Sequence, residues 1–382
     1  MNILILGGDG YLGWSSALKF AKDGHNVTIV DNYAKRVLAE QTKSASLLSR
    51  PSLNDRTKLA EELLNIRINV KILDLSNPQN MFDIVGEAKP EAIIHFAEQP
   101  SAPYSMRGFT EAQYTLKNNL DVTFNCIWAI MKIAPECHLI KLGTMGEYGT
   151  PNIDITEGWI DINYNGRSDK FLYPRAASSL YHTTKVLDTD LIWFYTRTHG
   201  LRVTDLMQGP VYGILPFEND IPDILLPHFH YDDIFGTVIN RFLVQAVAGH
   251  PLTVYGSGGQ TRGYLNLIDT LQCINLALQN PTKIGELRIL NQFTETFSVN
   301  ELAERIKAAA SELSLDVKIK KIENPRLEKE EHYYNPENTG LLDLGLKPHF
   351  LTKPVIKRIL TMISDNKEHI NKEIIQPRVK WS

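Results

Sequence analysis

Short apolar runs and longer stretches of helical period alternate along most of this chain. Runs at 2–6, 26–30, 69–73, 92–96, 138–142, 202–206 and 287–291 read as strands. Most are nearly continuous in apolar residues, as expected of parallel strands covered on both faces. Between them, apolar positions three and four apart predict helices over 11–23, 78–88, 111–134, 180–198, 237–248 and 270–279. Strands alternating with helices predict an α/β class fold with a doubly wound parallel sheet.

Two stretches depart from simple alternation. Residues 32–69 are polar, contain Pro51 and hold a helical pattern near 55–65. They are too long for a connection and read as an insertion placed to cover a ligand. After about 207, Pro and Gly become frequent and the alternation loosens. The expectation is a ligand-binding domain over 1–206, carrying the insertion, and a smaller C-terminal substrate-binding domain over 207–382. The strand near 287–291 is interleaved with the first domain, and the charged tail beyond about 366 is extended.

Composition narrows the classes. The chain has 382 residues, 43% of them hydrophobic and 22% charged, which is ordinary for a globular protein. A net charge of −4 gives no basic footprint for nucleic acid. The opening MNILILGGDG breaks from its apolar run into glycines at once, so it reads as neither a signal peptide nor a membrane span. Cys126, Cys137 and Cys273 form no CxxC pair. The expectation is a soluble, cytoplasmic protein with reduced thiols.

Gly7, Gly10 and Gly13 form GxxGxxG between the first strand and the first helix. Such glycines let the backbone turn sharply and approach a pyrophosphate at a helix N-terminus, the arrangement of a Rossmann-type sheet. Asp31 ends the second strand 18 residues after Gly13. An acid there binds ribose hydroxyls and repels a 2′-phosphate, which favours NAD over NADP. Lys35 and Arg36 lie close enough to keep NADP open. Asp74, at the end of the third strand, suits the adenine edge. The expected cofactor-binding set is Gly7, Gly10, Tyr11, Leu12, Gly13, Asp31, Asn32, Arg36, Asp74, Leu75, Asn118 and Lys185.

Tyr181 and Lys185 make a YxxxK pair on one helix face. An adjacent ammonium lowers a phenol's pKa and makes Tyr181 a general base. Thr144 lies just past the strand 138–142, where open α/β sheets bind ligands. With the glycines, these residues resemble the extended, sugar-nucleotide branch of the short-chain dehydrogenases/reductases. The 4,6-dehydratases of that branch carry Thr-Asp-Glu before Val-Tyr-Gly. Here the run is Thr144-Met145-Gly146-Glu147-Tyr148-Gly149, so Met145 and Gly146 stand where the two acids would be.

That run, with Glu98-Gln99, Ser101-Ala102-Pro103-Tyr104, Gly259-Gln260-Thr261-Arg262 and His332-Tyr333-Tyr334-Asn335, resembles the UDP-sulfoquinovose synthase family over nearly the whole chain. The resemblance implies UDP-glucose and sulfite as substrates and NAD as a recycled cofactor. C4 is oxidised, water leaves across C5 and C6, sulfite adds at C6 and C4 is reduced. It implies Tyr181 as C4 base, Lys185 as its partner and Thr144 as the oxygen-orienting donor. Glu147 and His182 become candidates for the C5 and C6 protons, and Met145 fills space at the reacting carbons. Gln208, Thr253, Tyr255, Arg262 and Arg326 join Thr144 and Tyr181 as substrate contacts. Pro100 stands where plant-type members carry Arg. A homodimer through helices 111–134 and 180–198 is also implied. The alternatives are a UDP-sugar 4-epimerase or 4,6-dehydratase, and a non-catalytic NAD-binding scaffold. His228 and His230 have no accompanying ligands, so no metal is expected.

Overall fold

The computed structural model describes residues 1–326 and 332–378. In chain order its first half runs β1 (Asn2–Leu6), α1 (Tyr11–Lys22), β2 (Asn26–Asp31), α2 (Ala34–Gln41), α3 (Leu53–Leu64), β3 (Asn69–Ile72), α4 (Pro78–Ala88), β4 (Ala92–His95), α5 (Ala102–Ser105), α6 (Phe109–Ile133) and β5 (His138–Thr144). There follow β6 (Trp159–Tyr164), β7 (Arg167–Leu172), α7 (Leu180–His199), β8 (Arg202–Gln208), β9 (Val211–Tyr212), α8 (Val238–Val247), β10 (Leu252–Tyr255), β11 (Thr261–Asn266) and α9 (Leu267–Gln279). The chain closes with β12 (Leu287–Gln292), β13 (Glu295–Ser298), α10 (Val299–Ser311), β14 (Ile319–Ile322), α11 (Thr339–Asp343) and α12 (Lys353–Asp365).

Seven strands form one parallel sheet in the order β3-β2-β1-β4-β5-β8-β12. All seven strands expected from the sequence are in it. β5 and β8 run beyond their apolar cores because the ladder continues through the pair Thr144 and Gln208. Chain order reverses between β1 and β4, which opens a crevice at the C-terminal ends of the strands. The polar insertion folds as α2 and α3. A three-stranded sheet (β13-β11-β9) and the parallel pair β10-β14 build the opposite wall. The strand β12 belongs to the large sheet, and one apolar cluster runs from Ile3, Trp14 and Phe20 through Phe229 and Phe242 to Ile363.

Other features escape the apolar pattern. β6 and β7 form a hairpin that is mostly exposed, so nothing amphipathic marks it. The tail corrects the expectation of an extended segment. It turns through Lys367–His369 and Lys372–Ile374, buries Ile374 and Ile375, and pairs Arg378 with Asp233 at 2.8 Å. Among the described residues no helix is long and apolar enough to cross a membrane.

Asp9, inside the glycine loop, ties the insertion to the sheet. It is buried and accepts from Arg36 Nε at 2.7 Å and from Arg36 Nη2 at 2.6 Å. Arg36 also donates to the carbonyls of Arg50 and Pro51. The fully buried Arg56 reaches the same carboxylate at 3.3 Å and lies 3.9 Å over the Trp14 ring. Burial alone would raise Asp9's pKa, but the Arg36 hydrogen bonds outweigh it and hold the carboxyl well below the usual range. His228 stands 3.5 Å away, yet burial pushes it down to about 3, so the guanidiniums carry the pairing. Asp9→Ala leaves them uncompensated and is expected to destabilise the fold by about 3–5 kcal/mol, measured by urea unfolding at pH 7. Because the folded state holds Asp9 ionised more firmly than the unfolded chain does, its contribution is full above about pH 4 and is lost on acidification. The gap between variant and wild type therefore narrows as the pH falls.

Candidate active site

One cavity of about 710 Å³ occupies the crevice. Gly10 starts α1 with no side-chain cap, so the first amides of the helix face the cavity. A Cβ at Gly13 would lie 2.0 Å from the Gly7 carbonyl oxygen, so only glycine permits this close turn. Asp31 lines the far end and accepts from the amides of Asp9 (2.9 Å) and Tyr33 (2.7 Å). The loop, the bare helix end and the acid together fit a dinucleotide.

The reaction centre forms where β5 meets α7. Thr144 ends β5, and its Oγ1 accepts from the Gly146 amide at 3.2 Å in a single 3₁₀ turn, Met145–Glu147. Ser179 caps α7, accepts from the His182 amide and contacts His182 Nδ1 at 3.0 Å. His182 Nε2 then packs on Gly146, and a Cβ there would come within 2.4 Å of it. Burial, with Arg262 and Arg326 adding to it, pushes His182 down to about 3, so the ring is neutral near pH 7. Lys185 Nζ donates to Glu98 Oε1 at 2.5 Å, and the Lys185 pKa is raised because Glu98 outweighs the opposing effect of burial. Tyr181 is pushed up, first by burial and then by Glu98 and Glu147. Burial therefore outweighs any lowering by Lys185 in the bare protein, and that ammonium is itself paired with Glu98.

Beneath the site sits a buried ionic cluster. Lys141 Nζ donates to Thr189 Oγ1 (2.6 Å), Asp205 Oδ2 (3.2 Å) and the Lys185 carbonyl (3.2 Å), and lies 3.5 Å from Glu147 Oε1. Glu147 in turn accepts from the Thr144 amide and faces Arg175 at 3.7 Å.

Every residue expected from the sequence lines the cavity except Arg36, Glu147 and Thr253. Arg36 is held by Asp9 and does not reach the ligand space. Glu147 is wholly buried and turned into the Lys141 cluster, because the 3₁₀ turn directs it away from Met145. Thr253 shares a strand face with Tyr255 but is shorter, and its hydroxyl accepts from Gln245 at 2.7 Å. Asp74, Leu75 and Asn118 line the cavity, and Tyr11 donates to the Gly213 carbonyl at 2.6 Å. At the other end are Gln208, bonded to Gln292, and Tyr255, Arg262 and Arg326. Arg262 contacts His332.

Among the lining residues given no role from the sequence are Arg241 and Glu98. Arg241 is buried, donates to Tyr255 Oη at 2.5 Å and brings a third guanidinium to the arginine end. Glu98 reaches the centre from the loop after β4. Its place just past a strand end was the available signal.

A methyl at 146 and the His182 ring compete for one volume. Gly146→Ala is expected to cost about 1–3 kcal/mol by overpacking. Adding His182→Ala should restore most of that loss, as read by chemical denaturation. Additive losses would show that the ring is not seated there.

The sequence profile of the NAD dependent epimerase/dehydratase family matches residues 3–291. UDP-sulfoquinovose synthase, chloroplastic, of Spinacia oleracea is 46% identical over 380 residues, which covers 100% of this chain and 79% of that protein. UDP-sulfoquinovose synthase of Sulfolobus acidocaldarius is 45% identical over 384 residues, covering 100% and 98%. Among solved structures, UDP-glucose 4-epimerase from Bifidobacterium longum in complex with NAD+ and UDP superposes with a TM-score of 0.72 at 17% identity, over 97% of this chain and 100% of that one. The UDP-glucose 4-epimerase from Stenotrophomonas maltophila gives 0.73 at 17%, over 96% and 99%. At such identity these two establish the fold alone.

Proposed function

The chain belongs to the NAD-dependent epimerase/dehydratase family and, within it, to the UDP-sulfoquinovose synthases, and from that premise we propose that it converts UDP-glucose and sulfite to UDP-sulfoquinovose with NAD as a recycled cofactor. The observation that carries this reading is the Thr144-Met145-Gly146 turn. The two acids of a 4,6-dehydratase are absent, and the space beside Gly146 holds a neutral imidazole.

Residues 1–206 hold the dinucleotide: Gly7, Gly10 and Gly13 face its pyrophosphate, Asp31 its adenosine ribose and Lys185 its second ribose. Residues 207–382 hold the UDP end, where Arg241, Arg262 and Arg326 meet the diphosphate, since guanidinium pairs bidentately with phosphate. What NAD supplies when bound is a reversible hydride acceptor at C4. Thr144 donates to the C4 oxygen and Tyr181 takes its proton. The resulting ketone acidifies C5–H, and His182, entering neutral, accepts that proton at Nε2. The imidazolium then returns it to the departing C6 hydroxyl, so one ring serves both halves of the elimination. Met145, nearly buried beside the centre, excludes water while hydrogensulfite adds through sulfur at C6, its proton passing by way of His182 Nε2 to C5 of the resulting enolate. Tyr181 returns its proton as C4 is reduced. Glu147 acts by position, holding the Thr144 amide.

A homodimer is supported by the apolar stripe that α6 and α7 leave exposed: Phe109, Leu116 and Phe124 on one helix, Leu187 and Phe194 on the other. The three buried free cysteines suit a reducing, cytoplasmic location.

Incubation with UDP-glucose and NAD⁺ is expected to yield a sulfonated sugar nucleotide only when sulfite is present, as read by mass spectrometry. A 4-epimer formed with and without sulfite would overturn the reading. Tyr181→Phe is expected to lower turnover by about 10²–10⁴ while NAD stays bound, which separates loss of the base from loss of the cofactor.

A further inference from the structure

Glu98 has no part in the steps above, yet it stands at their centre. It lines the cavity with Thr144, Tyr181 and Lys185, and its Oε1 accepts from Lys185 Nζ at 2.5 Å. The two side chains are 5% and 3% exposed. Its second oxygen, Oε2, is buried without a hydrogen-bond partner. A carboxylate so placed is poorly compensated unless it serves the ammonium it touches.

We propose that Glu98 is a positioning residue that cancels the charge of Lys185, so that the oxidation state of the bound dinucleotide decides whether Tyr181 is ionised near neutral pH. The proposal rests on the reading of Tyr181 as the C4 base. The groups around the phenol come from four sides. α7 brings His182, Lys185 and Asp188; β4 and its loop bring His95 and Glu98. β5 and its turn bring Lys141 and Glu147, and α5 brings only the uncharged Ser105. Burial keeps both histidines neutral, His95 at about 4. It also holds Asp188 well above the usual carboxylate range, with Glu98's charge adding to the effect. Lys185 stands against Glu98, and Lys141 against Asp205 and Glu147. Arg262 and Arg326 act on His182, and Arg175 stands against Glu147 and Asp190. Among the described residues, Lys141, Lys185 and Arg175 thus each stand against a carboxylate.

The reaction needs the phenol in two states. In the first step the C4 hydroxyl proton passes to the Tyr181 oxygen as hydride leaves C4 for the oxidised dinucleotide; in the last step proton and hydride both return to the sugar. The nicotinamide ring is cationic when oxidised and neutral when reduced. With Lys185 cancelled, and His182 neutral again once its proton has been passed on, the charge of this ring distinguishes the first step from the last. The phenol is thus a base in the oxidised complex, and it keeps its proton through sulfite addition until reduction consumes it. An uncompensated lysine would favour the phenolate in both complexes.

The test is an ultraviolet tyrosinate titration, taken as the difference between each protein and its Tyr181→Phe counterpart, without UDP-glucose or sulfite. In the wild type, Tyr181 is expected to ionise at a lower pH with oxidised than with reduced dinucleotide. In Glu98→Gln, ionisation is expected to move down by about one to three pH units, without cofactor and in both complexes alike, so that the reduced complex ionises where the wild-type one stays protonated. Glu98→Asp restores the wild-type pattern at least in part. An unchanged titration in Glu98→Gln overturns the proposal. So does a wild-type titration indifferent to oxidation state, which decides the matter even where the variant fails to fold. Because no sugar nucleotide or sulfite enters, failure here leaves the sulfonation assay standing, and failure of that assay leaves this titration standing.

Discussion

Lys141 is an ammonium with no exposed surface, and it joins four pieces of backbone that the chemistry needs in register. Through Asp205 it holds β5 against β8, through Thr189 and the Lys185 carbonyl it holds α7, and through Glu147 it holds the turn that presents Thr144. A buried ion pair adds little net stability over an apolar replacement, but removing one partner is severe. Its value here lies in geometry. Tyr181 sits near the start of a long helix and Thr144 at the end of a strand, and an apolar contact between them would tolerate sliding. A set of directional bonds fixes their mutual position.

From that fixed point the cavity divides by charge. The glycine-loop end pairs a bare helix end with Asp31, and the opposite end gathers three guanidiniums. Between them, the ionisable groups are neutral or matched: His182 is neutral, and Lys185 is bound to Glu98. A closed cycle benefits from this arrangement. Hydride leaves and returns at one carbon and the proton at its oxygen, and a site whose own charges cancel favours neither direction. The insertion lines the glycine-loop end through Asn32, Ala34, Lys35 and Leu38, and Asp9 couples it to the glycine loop, so the two form one unit.

Much of this was legible in the sequence because it depends on local spacing. The seven strands announced themselves by apolar runs, and the glycines and Tyr181–Lys185 by fixed intervals. What stayed hidden depends on pairs distant in sequence. Arg36 sits where it could contact a cofactor, but Asp9, 27 residues earlier, captures it. Glu98 and Lys185 are 87 residues apart, and no periodicity links a loop to a helix. Glu147 is a candidate acid by position in the motif, and only the 3₁₀ turn reveals that it points into the cluster below. Thr253 has the parity of Tyr255 without the reach. In the tail, charged residues masked Ile374 and Ile375.

The contact between Gly146 and His182 carries a consequence for exchange between relatives. A carboxylate side chain at 146 and an imidazole at 182 claim the same space, so each position limits what the other can hold. Transplanting either residue alone into a related enzyme would bring its crowding or its void without its benefit.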